Sequence, residues 1–202
     1  RLGRGKQLQE LDPGMAFTTN NAEAVQQADV VVLSVKPQRL EGVLAGIKSL
    51  IQAHALVLSI VAGAPIKKIS RGLAHDIVVR SMPNTPAQIG EGITVWTAAA
   101  QVSEDQKEIA RQMLSALGEE IFVEEEYYLD MATALSGTGP AYVFLFMEAM
   151  VDAGVHMGFP RRIAEQLVAQ TVRGSVDYYQ KRADPVHLAR LRNDVTSPGG
   201  TS

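Results

Sequence analysis

The sequence contains no cysteine, which excludes disulfide staples and any chemistry that runs on a thiolate. That absence also fits a reducing compartment, so a cytoplasmic protein is expected. Its four histidines, His54, His75, His156 and His187, are scattered and show no ligand spacing, so no metal site is expected. An excess of charge of one sign is lacking as well: the net charge of −3 gives neither nucleic acid nor an anionic membrane a reason to bind. No apolar run is expected to be long enough to span a bilayer, and no secretory leader is expected. A complete Gly-x-Gly-x-x-Gly turn is also missing. Gly3-Arg4-Gly5-Lys6 has no strand before it and no third glycine, and Gly137-Thr138-Gly139 lies between helical segments.

What is present is apolar material in a regular order. With 202 residues, 46% of them hydrophobic, the chain can bury the core of one large or two small domains. Asn20 and Asn21 cap a short helical pattern. The runs 29–36, 55–62 and 77–82 are nearly continuous in Val, Ile and Leu, as buried strands are. Helical spacing over 40–51 and 66–73 separates them. Strands alternating with helices predict parallel βαβ units with both sheet faces covered. The strand tails are then Ser34-Val35-Lys36-Pro37, Ala62-Gly63 and Pro83-Asn84-Thr85-Pro86, and such geometry brings them to one edge. Each alone is also an ordinary βα loop. Three together, two of them stiffened by proline, shift the weight toward a nucleotide-binding edge.

Two further strands are predicted over 92–97 and 119–124, flanking a helix from Ser103 to Leu117 that opens with the capping box Ser103-Glu104-Asp105-Gln106. From about Tyr127 the pattern is helical throughout, over 127–135, 140–157, 160–181 and 185–192. Gly158 is placed to close one of these helices and Asp184 to cap another. The expected architecture is an α/β Rossmann-like parallel-sheet domain, 1–125, followed by an all-α helical domain, 126–202. The helix over 141–155 is apolar on more than one face, which suggests burial against a second copy. The last stretch, Leu191 to Ser202, is dense in hydroxyls and glycines. Gly199 and Gly200 permit positive φ, Ser197, Thr201 and Ser202 add hydroxyls, and the backbone amides there suit a small carboxylate.

Five words occur in order: Ser34-Val-Lys-Pro-Gln38, Met82-Pro-Asn-Thr-Pro86, Ala134-Leu-Ser-Gly-Thr-Gly-Pro-Ala-Tyr142, Ala153-Gly-Val-His-Met-Gly-Phe-Pro-Arg161 and Asp194-Val-Thr-Ser-Pro-Gly-Gly-Thr-Ser202. Together they closely resemble pyrroline-5-carboxylate reductase, the last enzyme of proline synthesis, from about Asn20 to Ser202. The resemblance implies hydride transfer from NADPH or NADH to the C=N bond of 1-pyrroline-5-carboxylate, giving L-proline. It implies cofactor contacts at Asn21, Val35, Lys36, Pro37, Ala62 and Asn84. On the substrate side it implies Glu126, Asp194, Ser197, Gly199, Gly200, Thr201 and Ser202, with a hydroxyl of Thr201 or Ser202 as proton donor to the ring nitrogen. A homodimer or higher homo-oligomer through the helical domain is implied as well.

The sequence departs from the family pattern in four places. The N-terminal strand and glycine-rich turn, and the helices that follow the SPGG loop, are not in it, and the expectation for this chain is weak cofactor binding, exposed apolar helix faces and little activity. Asp194 stands where Asn or Gln is usual, which removes a donor. Ser202 stands where Thr is usual and keeps the hydroxyl. Two other readings stay open at this level. One is a non-catalytic or regulatory relative that binds nucleotide or proline. The other is a related hydroxy-acid or keto-acid reductase, for which the helical half offers no obvious catalytic Lys.

Overall fold

A computed structural model of the chain describes residues 2–200. It divides into two compact units, Arg1–Pro140 and Ala141–Ser202. The first begins with α1 (Leu2–Leu11) and α2 (Asn21–Val25) and continues through β1 (Val30–Leu33), α3 (Pro37–Ile47), β2 (Leu56–Ser59), α4 (Ile66–Leu73) and β3 (Val78–Met82). A 3-10 turn over Thr85–Ile89 leads to β4 (Gly92–Ala98), α5 (Glu104–Ser115), β5 (Gly118–Phe122) and α6 (Tyr128–Ala132). The helix α1 was not foreseen, because that stretch carries no apolar stripe.

The sheet has the order β1-β2-β3-β4-β5. On one face, Leu40, Leu44 and Ile47 of α3 and Ile69 and Leu73 of α4 pack on Val57 and Val78. On the other, Ala110 and Leu114 of α5 pack on Leu56, Leu58, Val79 and Trp96. Both faces are covered, as continuous apolar strands require. The pairs β1–β2, β2–β3 and β4–β5 are parallel, whereas β3–β4 is antiparallel. The link from Pro83 to Glu91 causes this reversal, since a parallel crossover needs roughly a dozen residues or more. The sheet is therefore mostly parallel, with β4 and β5 reversed as a block.

Local signals explain the ends of the elements. Ser103 and Gln106 form the reciprocal capping box at the start of α5. In the second unit, α7 (Gly139–His156) ends at Gly158, whose φ is 108°. The Gly158 amide donates to the Val155 carbonyl and the Phe159 amide to the Gly154 carbonyl, a Schellman closure. α8 (Arg161–Gln180) follows, and α9 (Leu188–Val195) starts later than expected. The cap there is His187, whose Nδ1 accepts the Ala189 amide at 3.1 Å, rather than Asp184.

α7 and α8 meet through Val151, Ala164 and Val168, with Gly154 close enough that an added Cβ would lie 3.0 Å from the Ala164 Cβ. That narrow stripe leaves Tyr142, Val143, Phe144, Leu145 and Phe146 exposed. The expectation of no membrane-length apolar run is corrected at this point. The helical stretch Tyr128–His156 is long and apolar enough to cross a bilayer by length and composition alone, and 11% of its apolar window is buried.

Gly118 has φ 128°, and a Cβ on it would lie 2.2 Å from the Gly92 carbonyl oxygen of the paired strand. Gly118→Ala should destabilise the first unit by about 3 kcal/mol or more, through strain plus overlap. Denaturant unfolding measures this, and a loss near zero would mean that β5 is not held against β4 at this point.

Candidate functional site

Because β1, β2 and β3 run parallel, residues 34–37, 60–63 and 83–84 leave the sheet at one edge, where ligands of such sheets sit. The β1–β2 ladder continues past the strands, with the Ile60 amide donating to the Leu33 carbonyl at 3.1 Å. The two serines Ser59 and Ser81, not singled out in the sequence, tie the next two strand ends together. Ser81 Oγ donates to the Ser59 carbonyl at 3.1 Å, and Ser59 Oγ accepts the Val61 amide at 3.2 Å.

Lys36 is exposed and precedes α3 in extended conformation, with Pro37 in the first helical turn. The helix N-terminus and the ammonium thus bring positive charge to the same edge. Glu41 of α3 reaches Lys68 of α4 at 2.9 Å. The Lys68 hydrogen bond, then its charge, holds that carboxyl below the ordinary glutamate range. Asn20, rather than Asn21, caps α2 by accepting the Ala22 amide at 3.0 Å. Asn21 then joins Val35 and residues of β1 in lining a cleft of about 230 Å³. Ala62 is half-buried, and Gly63 after it has φ 66°, which turns the chain away from β2. Asn84 Oδ1 accepts the Ile93 amide at 3.0 Å, bracing the loop after β3 against the start of β4.

Glu126 meets the start of α4, just after the β2 tail. Arg80, on β3 and 3% exposed, donates from Nη1 to Glu126 Oε1 at 2.9 Å and from Nη2 to Asp130 Oδ1 at 2.7 Å. The same Glu126 oxygen accepts the Ile66 amide at the start of α4, at 2.8 Å. Glu124 and Glu125, its neighbours, are exposed and line a wide cleft of about 840 Å³ beside α4. Beyond α6, residues Thr133–Gly137 form a single π-turn closed by the Thr138 amide on the Thr133 carbonyl at 3.0 Å. Thr133, Ser136 and Thr138 hydroxyls bond back to carbonyls of the preceding turn. Gly137 lies against Met82, with an added Cβ only 2.5 Å from the methionine methyl. The Gly137-Thr138-Gly139 motif is thus a helical interruption rather than a phosphate loop.

In the second unit Asp194 is exposed on α9, and Ser197 to Gly200 follow as a tight turn. The Gly200 amide donates to the Ser197 carbonyl at 3.0 Å, and Gly199 has φ 71°. Proline second and a positive-φ glycine third is the type II pattern, so Gly200 spends its amide within the turn. Thr201 and Ser202 lie outside the described residues. Among the described residues no group of His, Asp or Glu is arranged to hold a metal ion.

Two family models match the chain: pyrroline-5-carboxylate reductase dimerisation over residues 126–202, and NADP oxidoreductase coenzyme F420-dependent over residues 4–63. The pyrroline-5-carboxylate reductase of Pseudomonas aeruginosa is 45% identical over 184 residues, covering 91% of this chain and 67% of that protein. That of Glycine max is 39% identical over 189 residues, covering 94% of this chain and 68% of the relative. A crystal structure of Plasmodium falciparum pyrroline carboxylate reductase with NADP bound superposes with a TM-score of 0.85 at 34% identity, over 92% of this chain and 70% of that one.

Asn84→Ala should leave the Ile93 amide without its acceptor and cost about 1 kcal/mol. Asn84→Asp keeps that acceptor and should keep most of the stability. Equal losses from both, measured by denaturant unfolding, would show that the brace contributes nothing.

Proposed function

The chain belongs to the pyrroline-5-carboxylate reductase family, and from that membership we propose how its residues divide the work. The reaction is the NAD(P)H-dependent reduction of the C=N bond of 1-pyrroline-5-carboxylate to L-proline. When bound, the reduced nicotinamide supplies the hydride, so the imine carbon gains hydride, the ring nitrogen gains a proton and the cofactor leaves oxidised.

The carboxyl edge of three parallel strands carries this assignment. It combines an exposed lysine and a helix N-terminus for phosphate with half-buried apolar residues for flat rings, and these fit NADPH. Lys36 and Pro37 at the α3 start take the phosphate side, with Asn21 beside them. Val35 and Ala62 provide apolar contact. Asn84, with its carbonyl committed to Ile93, keeps its amide N–H₂ to donate. The Ser197-to-Gly200 turn cradles the substrate carboxylate, with Asp194 before it and Thr201 and Ser202 after it. A hydroxyl of Thr201 or Ser202 delivers the proton. Glu126 Oε1 already serves two protein donors, so Glu126 takes a positioning part in place of a substrate contact. Catalysis then rests on holding the two reactants in register and keeping water away.

The match to a dimerisation model over 126–202 supports a homo-oligomer. We read the exposed apolar residues of α7 as the surface a second copy covers, in a homodimer or larger ring, and the protein as cytoplasmic and soluble in that form. A membrane would need the same residues to face lipid.

Turnover is tested by following imine-dependent loss of reduced-nicotinamide absorbance with purified protein. Lys36→Ala should raise the KM for NADPH roughly tenfold or more, with a smaller effect on the KM for the imine. An unchanged KM for NADPH would remove Lys36 from the phosphate site. Changing Phe144 and Leu145 together to Asp should shift the protein to monomer in analytical ultracentrifugation. An unaltered oligomer would move the interface off α7.

A further inference from the structure

The cofactor edge and the helical segment after β5 share one buried anchor, and nothing in the reaction itself requires it. Arg80 is on the same face of β3 as Val78 and Met82, by the two-residue alternation of a strand. The residue is 3% exposed, and its guanidinium forks onto Glu126 and Asp130. Three elements are joined through this fork. Glu126 caps the Ile66 amide of α4, which has no side-chain cap from its own N-cap, Pro65. That helix begins just after Ala62-Gly63, the β2 tail at the cofactor edge. Asp130 belongs to α6, whose continuation is the π-turn that sets Gly137 on Met82. Met82 is in turn followed directly by Pro83 and Asn84, the β3 tail at the same edge.

We propose that Arg80, Glu126 and Asp130 form a positioning clamp that fixes the two strand-end loops at 62–65 and 83–84 in register with the Thr133–Gly137 turn. None of the three touches the reacting atoms. The inference rests on the reductase reading for its kinetic consequence, but the clamp itself is visible without turnover. A guanidinium is needed because only its planar fork reaches two carboxylates at once; the ammonium of a lysine offers a single point charge. Hydride transfer is sensitive to small displacements, whereas cofactor phosphate contacts on Lys36 and α3 do not pass through the clamp. Loosening it should therefore slow the chemical step more than it weakens NADPH binding.

The test uses Arg80→Lys, Glu126→Gln and Asp130→Asn in the whole protein, with two readouts. The first is amide hydrogen exchange. Each variant should speed exchange at Ile66 and across 128–137, while the β1–β2 ladder stays protected. Unchanged protection there in Arg80→Lys and Glu126→Gln overturns the clamp, whatever the enzyme does. The second is kinetics with deuterated NADPH. The expected result is a fall in kcat on the order of tenfold or more for Arg80→Lys and Glu126→Gln, with a larger isotope effect and a KM for NADPH within about twofold. Asp130→Asn, at the more exposed arm, keeps an acceptor and should fall less. The Arg80→Lys/Glu126→Gln double variant should lose little beyond either single one, because both break the same contact. A rise in the KM for the imine confined to Glu126→Gln would instead make Glu126 a substrate contact and sink the proposal. If the unaltered protein showed no imine reduction, the reductase reading would fail, and hydrogen exchange alone would decide the clamp.

Discussion

A positive charge inside a small α/β unit has to be answered where it lies, and Arg80 sets that condition for its surroundings. Removing a guanidinium from water is expensive unless carboxylates meet it with good geometry. The chain supplies them from Glu126 and Asp130, 46 and 50 residues downstream. The segment after β5 consequently has to cross back over the start of α4, and α6 has to lie against β3. This accounts for the helical chain of α6 packing with the sheet within the first unit. It also explains the lone acidic residue that ends the Glu124-Glu125-Glu126 run: two of the three are solvated, and the third is fastened.

Much of the fold could be read from short-range signals. The bounds of α4, Ile66 to Leu73, follow from Pro65 before it and the loss of spacing after it. The capping box at Ser103 and the glycine stop at Gly158 are local chemistry and behave as such. Strand and helix alternation alone does not encode the reversal of β4, which follows from the shortness of the Pro83–Glu91 link. α1 was missed for a different reason. Its residues are polar nearly all round, so there is no periodicity to read. The gathering of the strand tails that hold Lys36, Ala62 and Asn84 at one edge was legible because parallel topology alone carries strand ends there. The partnership of Glu126 with Arg80 was not, since no local pattern encodes a contact between residues so far apart in the chain.

The second unit shows what a helix composition leaves undecided. An apolar surface nearly all round α7 says only that something covers it. α8 covers the stripe at Val151 and Gly154, where small residues let the helices approach, and the aromatic and aliphatic residues from Tyr142 to Phe146 are left outward. Length and hydropathy alone cannot separate a lipid-facing helix from one buried between subunits. The match of residues 126–202 to a dimerisation model is what supports the second reading.

The strand order has a further consequence. In these five strands each lies beside its predecessor in the chain, with no later strand inserted between two earlier ones. A growing polypeptide emerges from the ribosome in that same order, N-terminal part first. Every strand after the first therefore finds its neighbour already synthesised, and the sheet can extend by one edge at a time without being reopened. The Arg80 side chain is an exception to that progression. It is placed in β3 before Glu126 and Asp130 exist, so during synthesis β3 waits with an unanswered charge until α6 arrives. The charge of the buried Arg80 is thereby answered only when the segment after β5 is in hand.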